Sequence, residues 1–180
     1  SRDGHRVRAV TRRDVYLPGA HEVAVLDHAD PAALRAAAGS AAISALGASR
    51  GNPVCSRLAA ALAPVEGVRF VTIAGSAVRA AGDRTSRVDR AMGALFRAVA
   101  GQMVTDRQAE HDLLVGTPLR WTMLRPPRLT NAPASGRWRL TDDRPASTTI
   151  PRADLARAAV AALSDDGLLH RAPFVAAALG

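Results

Sequence analysis

Apolar residues in this chain gather in short runs of four to six, and most runs are separated by stretches with helical character. Val23–Leu26 (VAVL), Ala41–Leu46 (AAISAL) and Val68–Ile73 (VRFVTI) carry apolar residues at both odd and even positions, the pattern of strands buried on both faces. His5–Val10 (HRVRAV) and Leu119–Leu124 (LRWTML) read as further strands; Gly136–Leu140 and Pro173–Ala177 read as short, weak ones. Between them lie predicted helices. One starts at Asp30-Pro31, with Asp as N-cap and Pro in the first turn, and runs through Ala32–Ala38 to a stop at Gly39. Others cover Cys55–Ala63, Arg87–Ala100, Asp106–Val115 and Arg152–Leu163, and residues 79–87 read as a loop. Strands spaced by helices predict a parallel sheet covered on both sides, and right-handed crossovers make it a doubly wound, three-layer α/β domain. No repeat and no linker interrupts the 180 residues, so the expectation is one domain over 1–180.

Composition narrows the chemistry. All 24 basic side chains counted as Lys or Arg are arginine, so any mechanism that needs a lysine amine is excluded. The formal charge is +8, but the arginines are scattered and aromatics make up only 3%. A nucleic-acid surface needs clustered cations and stacking rings, so no nucleic-acid partner is expected. The single cysteine, Cys55, excludes an internal disulfide and a cysteine-based zinc cluster. The histidines at 5, 21, 28, 111 and 170 show no metal-ligand spacing, so no metal is expected. No run is long enough to span a membrane, and the N-terminus does not read as a signal peptide, which makes a cytoplasmic setting the default expectation. A dinucleotide-binding domain usually opens with a strand, a glycine-rich turn and a helix N-terminus. This sequence opens SRDGHRV, which reads as the end of a helix feeding a second strand. The expectation is a truncated first strand–turn–helix unit.

Six segments, in order, carry a family resemblance: HRVRAVTRR, VAVLDHADPAAL, AAISALGAS, VRFVTIAGSA, EHDLLVGTPLRWTMLRPPRLTN and IPRADLARAAVAAL. From His5 onward the chain resembles the atypical short-chain dehydrogenase/reductases with an NAD(P)H-binding, Rossmann-like domain. Within these it is most similar to the biliverdin reductase B (flavin reductase) group, with the NmrA-like proteins as relatives. The resemblance implies a cofactor role for Arg12 and Arg13 after the second strand. A guanidinium there pairs with a 2′-phosphate where a carboxylate would favour NAD, so NADP is the expected cofactor. It puts Asp27 near the adenine. Leu46, Gly47 and Ala48 are small or backbone-exposing positions that let the nicotinamide half approach. Ser76, after Gly75, implies a hydrogen bond to substrate or nicotinamide. Pro126 and Pro127 imply a rigid wall over the nicotinamide, and Arg128 a partner for an acidic substrate group.

Two helix residues complete the candidate set. His111 is a possible proton donor near neutral pH. Arg107 stands about where relatives carry a basic catalytic residue, to hold ribose or an acidic substrate; three residues before Glu110, it equally fits an ion pair on a wet helix face. The family's usual acid is a tyrosine with a lysine four residues on. Here Tyr16 is the only tyrosine and no lysine exists, so that route is closed. The expected function is an NADPH-dependent oxidoreductase passing hydride to a conjugated acceptor, a flavin or tetrapyrrole, mainly by proximity of two stacked rings. The alternative is a non-catalytic, NmrA-like NADP-binding redox sensor. The expected assembly is a monomer or homodimer.

Overall fold

A computed structural model describes residues 4–27, 30–47, 52–84 and 104–178. Strands β1 (Arg8–Thr11) and β2 (Glu22–Val25) pair in parallel. Helix α1 (Pro31–Ala37) follows, and Asp30 caps it as expected, its Oδ1 accepting from the Ala32 and Ala33 amides at 2.9 and 3.1 Å. Strands β3 (Ala41–Ser44), β4 (Arg69–Ile73) and β5 (Arg120–Leu124) form a parallel three-stranded sheet in that order. Helix α2 (Val54–Leu62) connects β3 to β4, and helix α3, described over 104–115, precedes β5.

The strand register explains the layers. On β4 and β5, Phe70, Trp121 and Met123 face α2 and α3, in a core with Leu62 and Leu114. The alternate residues Val71 and Leu124 face α4 (Arg152–Ala162), packing with Leu155, Ala158 and Ala162. A period of two along each strand therefore gives each helical layer its own core. This is the expected three-layer, Rossmann-like arrangement with parallel sheets.

The C-terminal third differs from the expectation in detail. The stretch after Pro126-Pro127, where the sequence predicts no element, contains strand β6 (Arg128–Thr130), which pairs in parallel with β8 (Thr149–Pro151). Pairing with a strand more than twenty residues away leaves no local pattern to read. Strand β7 (Trp138–Thr141) pairs antiparallel with β9 (Phe174–Ala177), and bridges Thr122–Arg171 and Arg125–Phe174 lay the start of β9 along β5. The predicted helix Arg87–Ala100 lies outside the described residues.

Between β1 and β3 runs a groove of about 730 Å³, lined by all four residues of each strand. Among the described residues, β1 pairs only with β2, and β3 only with β4.

Candidate functional site

The carboxyl ends of β3, β4 and β5 lie on one edge because the three strands are parallel. A cavity of about 580 Å³ opens at that edge, lined by Leu46 and Gly47 after β3 and by Ala74 and Gly75 after β4. Arg107 of α3 and Arg152 of α4 supply its charged atoms, and Val78, Leu129 and Leu155 much of its apolar wall. A Cβ built on Gly47 or Gly75 would meet nothing within 4 Å. The open space beside those glycines suits close approach of a flat ring or a ribose to the backbone.

Arg107 is held by a buried network. Its Nη1 donates to Glu110 Oε2 at 2.6 Å and to Thr72 Oγ1 at 3.2 Å, and its Nη2 donates to the Leu46 carbonyl. Thr72 Oγ1 in turn donates to Glu110 Oε1 at 2.7 Å. The i,i+3 pair with Glu110 therefore exists, but the face is not wet: Arg107 is 8% exposed and Glu110 is fully buried. The reason is the neighbouring strand, since α3 lays this turn against Thr72 of β4. Burial pushes the Glu110 carboxyl above its usual range, while the Arg107 charge and the hydrogen bonds from Arg107 and Thr72 pull the other way. The guanidinium thus ties the end of β3 to α3 and spends three of its five N–H donors doing so.

The residue before it has a different task. Asp106 accepts from the Cys55 and Ser56 amides, both at 3.0 Å, and from Ser56 Oγ at 2.6 Å. It caps the first turn of α2, whose own N-cap, Pro53, makes no side-chain bond. Burial works to raise the Asp106 carboxyl, but the hydrogen bonds from Ser56 and Cys55 outweigh it and hold the group below its usual range.

The other candidates are distributed as follows. Ser76 is exposed beside the cavity, its amide donating to the Pro126 carbonyl at 2.9 Å, so the turns after β4 and β5 are stitched together. Pro126 is buried, Pro127 half-buried, and Arg128 exposed at the first position of β6. Arg12 and Arg13 are exposed just past β1, and Asp27 is exposed two residues past β2. Ala48 lies outside the described residues. His111 is not on the Arg107 cavity. It lines a separate cavity of about 640 Å³ with Trp121 and His170, its Nδ1 3.1 Å from Asp112 Oδ1 and its ring edge-on to Trp121 at 6.0 Å. Leu46, Gly47 and Arg107 are brought together, with Ser76 and Pro126 at the rim. Arg12, Asp27 and His111 are elsewhere. Tyr16 is 90% exposed.

Four residues that matter here carried no assignment from sequence: Thr72, Glu110, Arg152 and Arg125. Glu110 was legible only as a helical neighbour of Arg107. Arg125 is fully buried, paired at 2.7 Å through both Nη atoms with Asp83, and 3.8 Å over the Phe174 ring, so it fixes the loop before Asp83 to the end of β5. Its only visible signal was the Arg-Pro-Pro step that ends the strand.

Comparison with known proteins agrees with this geometry. A family model described as NAD(P)H-binding matches residues 1–166. No curated protein matches the chain. Among solved structures, a candidate NAD-dependent epimerase/dehydratase from Bacillus halodurans superposes with a TM-score of 0.77 at 17% identity, over 98% of this chain and 85% of that one. An anaerobilin reductase from Escherichia coli O157:H7 gives 0.73 at 18% identity, over 98% and 86%. A candidate NADH-flavin reductase from Streptococcus pneumoniae gives 0.74 at 19%, over 98% and 90%. At such identities the structures speak for the fold, and the family model for the rest: the chain belongs to the NAD(P)H-binding family.

Proposed function

We propose that this protein is an NADPH-dependent oxidoreductase that delivers hydride to a conjugated acceptor of flavin or tetrapyrrole type. The observation that carries the reading is the cavity at the ends of β3 and β4, walled by small residues and furnished with the anchored Arg107 guanidinium. Gly47 and Gly75 offer room for the nicotinamide ribose against the backbone. Arg107, with N–H donors beyond those given to Glu110, Thr72 and Leu46, would hold a ribose hydroxyl or an acidic acceptor group. Bound there, reduced nicotinamide supplies the hydride. Arg12, just past β1, is the residue we assign to the 2′-phosphate, which favours NADPH over NADH.

The chain's own part is chiefly positional. Among the described residues that line the cavity there is no carboxylate and no tyrosine, so none of these offers an acid to a carbonyl. A conjugated ring system needs none, because added electron density is spread over the rings and the proton can come from water. We assign the orienting of the acceptor to Ser76, after Gly75, and to Arg128, which precedes the cavity-lining Leu129, with the buried Pro126 stiffening the turn between β5 and β6. Holding two flat rings at reacting distance contributes through orientation. The relatives called anaerobilin reductase and candidate NADH-flavin reductase support the acceptor class by analogy of fold.

The test is to titrate NADPH and NADH, then follow oxidation with FMN or biliverdin as acceptor. The expected result is turnover with either acceptor and tighter binding of NADPH. Arg12→Asp should shift the preference toward NADH by about 10- to 100-fold, the worth of a charge-assisted bidentate contact. Tight NADP binding with no turnover on any conjugated acceptor would replace the enzyme with the redox-sensor reading, and NADH preference in the unaltered protein would remove Arg12 from its role.

A further inference from the structure

We propose that Arg152 anchors an acidic group of the acceptor, so that the site selects molecules carrying a carboxylate or phosphate over neutral molecules with the same ring. The inference rests on the reductase reading above and adds to it the residue that sets acceptor specificity.

The cavity at the ends of β3 and β4 straddles the edge of the sheet. Arg107 reaches it from α3, on the face of Phe70 and Trp121; Arg152 reaches it from α4, on the face of Val71 and Leu124. The two guanidiniums differ in what balances them. Arg107 meets the Glu110 carboxylate at 2.6 Å and gives further bonds to Thr72 and the Leu46 carbonyl, so its charge is answered inside the protein. Arg152 is exposed, and among the described residues it takes part in no ion pair. Its Nη1 donates to Asn131 Oδ1 at 2.6 Å, an acceptor without charge. Asp154, two residues on, is fully buried and spent elsewhere: it accepts from the Ser135 and Gly136 amides at 2.8 and 2.9 Å and does not line the cavity.

Strand register holds this cation in place. β6 and β8 run parallel with Thr130 opposite Pro151, so Asn131 and Arg152 are the next positions of the two chains. Arg152 also opens α4 directly after β8. The bond to Asn131 steadies one end of the guanidinium and leaves most of its five N–H donors for a ligand. Those donors form a planar fork that matches a carboxylate or a phosphate. Val78, Leu129 and Leu155 supply an apolar wall on which a flat ring can lie while its acidic side chain reaches the fork. Arg128 does not line the cavity, and the glycine side of the cavity is assigned above to the nicotinamide ribose. The acid that meets Arg152 is therefore the acceptor's.

The experiment uses two pairs of molecules that differ only in their acid groups: FMN against riboflavin, and biliverdin against its dimethyl ester. Each is titrated into the protein in excess NADP+, and binding is followed by flavin fluorescence or bilin absorbance. The expected result is that the acid of at least one pair binds about 10-fold or more tightly than its neutral partner, by a margin that shrinks as salt is added. Arg152→Gln should bring that ratio close to one, and Arg152→Lys should keep part of it, as a point charge without the fork. Equal affinities within both pairs, or no binding of either acid, would overturn the proposal. So would a ratio that survives Arg152→Gln, one that collapses only with Arg128→Gln, or an equal weakening of acid and neutral forms. Loss of NADP+ affinity in Arg152→Gln with the ratio intact would also overturn it, by giving the guanidinium to the cofactor. Turnover does not enter the readout: failure to oxidise NADPH would remove the reductase reading alone, while the binding ratio decides Arg152.

Discussion

Replacing Arg107 by Met should be far more damaging at neutral pH than in mild acid. Glu110 is fully buried and its carboxylate faces Arg107 at 2.6 Å. Removing one partner of a buried pair costs about 3–5 kcal/mol, because the other charge stays behind without compensation. Loss of the bond to the Leu46 carbonyl adds about 1 kcal/mol. Against a total of about 5–15 kcal/mol for a domain of ordinary stability, this is a large share. The sign with pH follows from Glu110. Burial already raises its folded-state value above the unfolded one, and without the guanidinium it rises further. A carboxyl raised in this way contributes stability below its unfolded value and loses it as pH climbs through the folded value. Methionine at 107 therefore costs less in acid, as Glu110 takes up its proton, than at neutral pH, while the bond to the Leu46 carbonyl is lost at both. Urea unfolding followed by Trp121 fluorescence measures both, since that indole is 2% exposed in the folded chain. Adding Glu110→Gln to the Met variant should recover most of the loss. A cost under about 1 kcal/mol, or one equal at the two pH values, would refute the argument that the pair is a buried ionic contact.

Three other outcomes are expected. Asp106→Ala should cost about 1–2 kcal/mol in the same unfolding assay, the worth of a helix cap, and the difference should fade in acid as the wild-type carboxylate is protonated. Cys55, its thiol pushed up to about 12 mainly by burial, should resist iodoacetamide in the native protein and react only on unfolding. Asp154 is buried against Ser135 and Gly136, whose amides donate to it at 2.8 and 2.9 Å. Burial works to raise it, yet those bonds leave it below its usual range, so Asp154→Asn should lower the thermal midpoint at neutral pH and converge with the parent as pH falls through the carboxylate range.

The parallel core was legible because its strands carry apolar residues on both faces and its first helix announces itself through Asp30-Pro31. The lines between Leu46, Gly47 and Gly75 were readable for the same reason: each follows a strand that sequence can find. What escaped reading was nonlocal. Nothing near Glu110 in the chain says that Thr72 lies against it, so a buried network resembled a surface pair. Strands β6 and β8 are three residues each and depend on each other across more than a dozen positions, too short for a period to show. His111 looked catalytic by residue type alone; the turn of α3 that carries Arg107 to one cavity carries His111, four residues on, to another.

Asp106 and Arg107 are consecutive, yet one fastens the start of α2 and the other the end of β3. Neighbouring side chains on a helix diverge by about 100°, so a single turn serves as a two-armed bracket joining the helix that precedes β4 to the rim where a ligand would rest. Rotating or sliding α3 by even one residue would release both arms together. A change in the length of the segment leading into this helix is therefore tolerated only if the phase of that one turn is kept, and loss of phase would register as a softer protein and a misshapen rim in the same measurement.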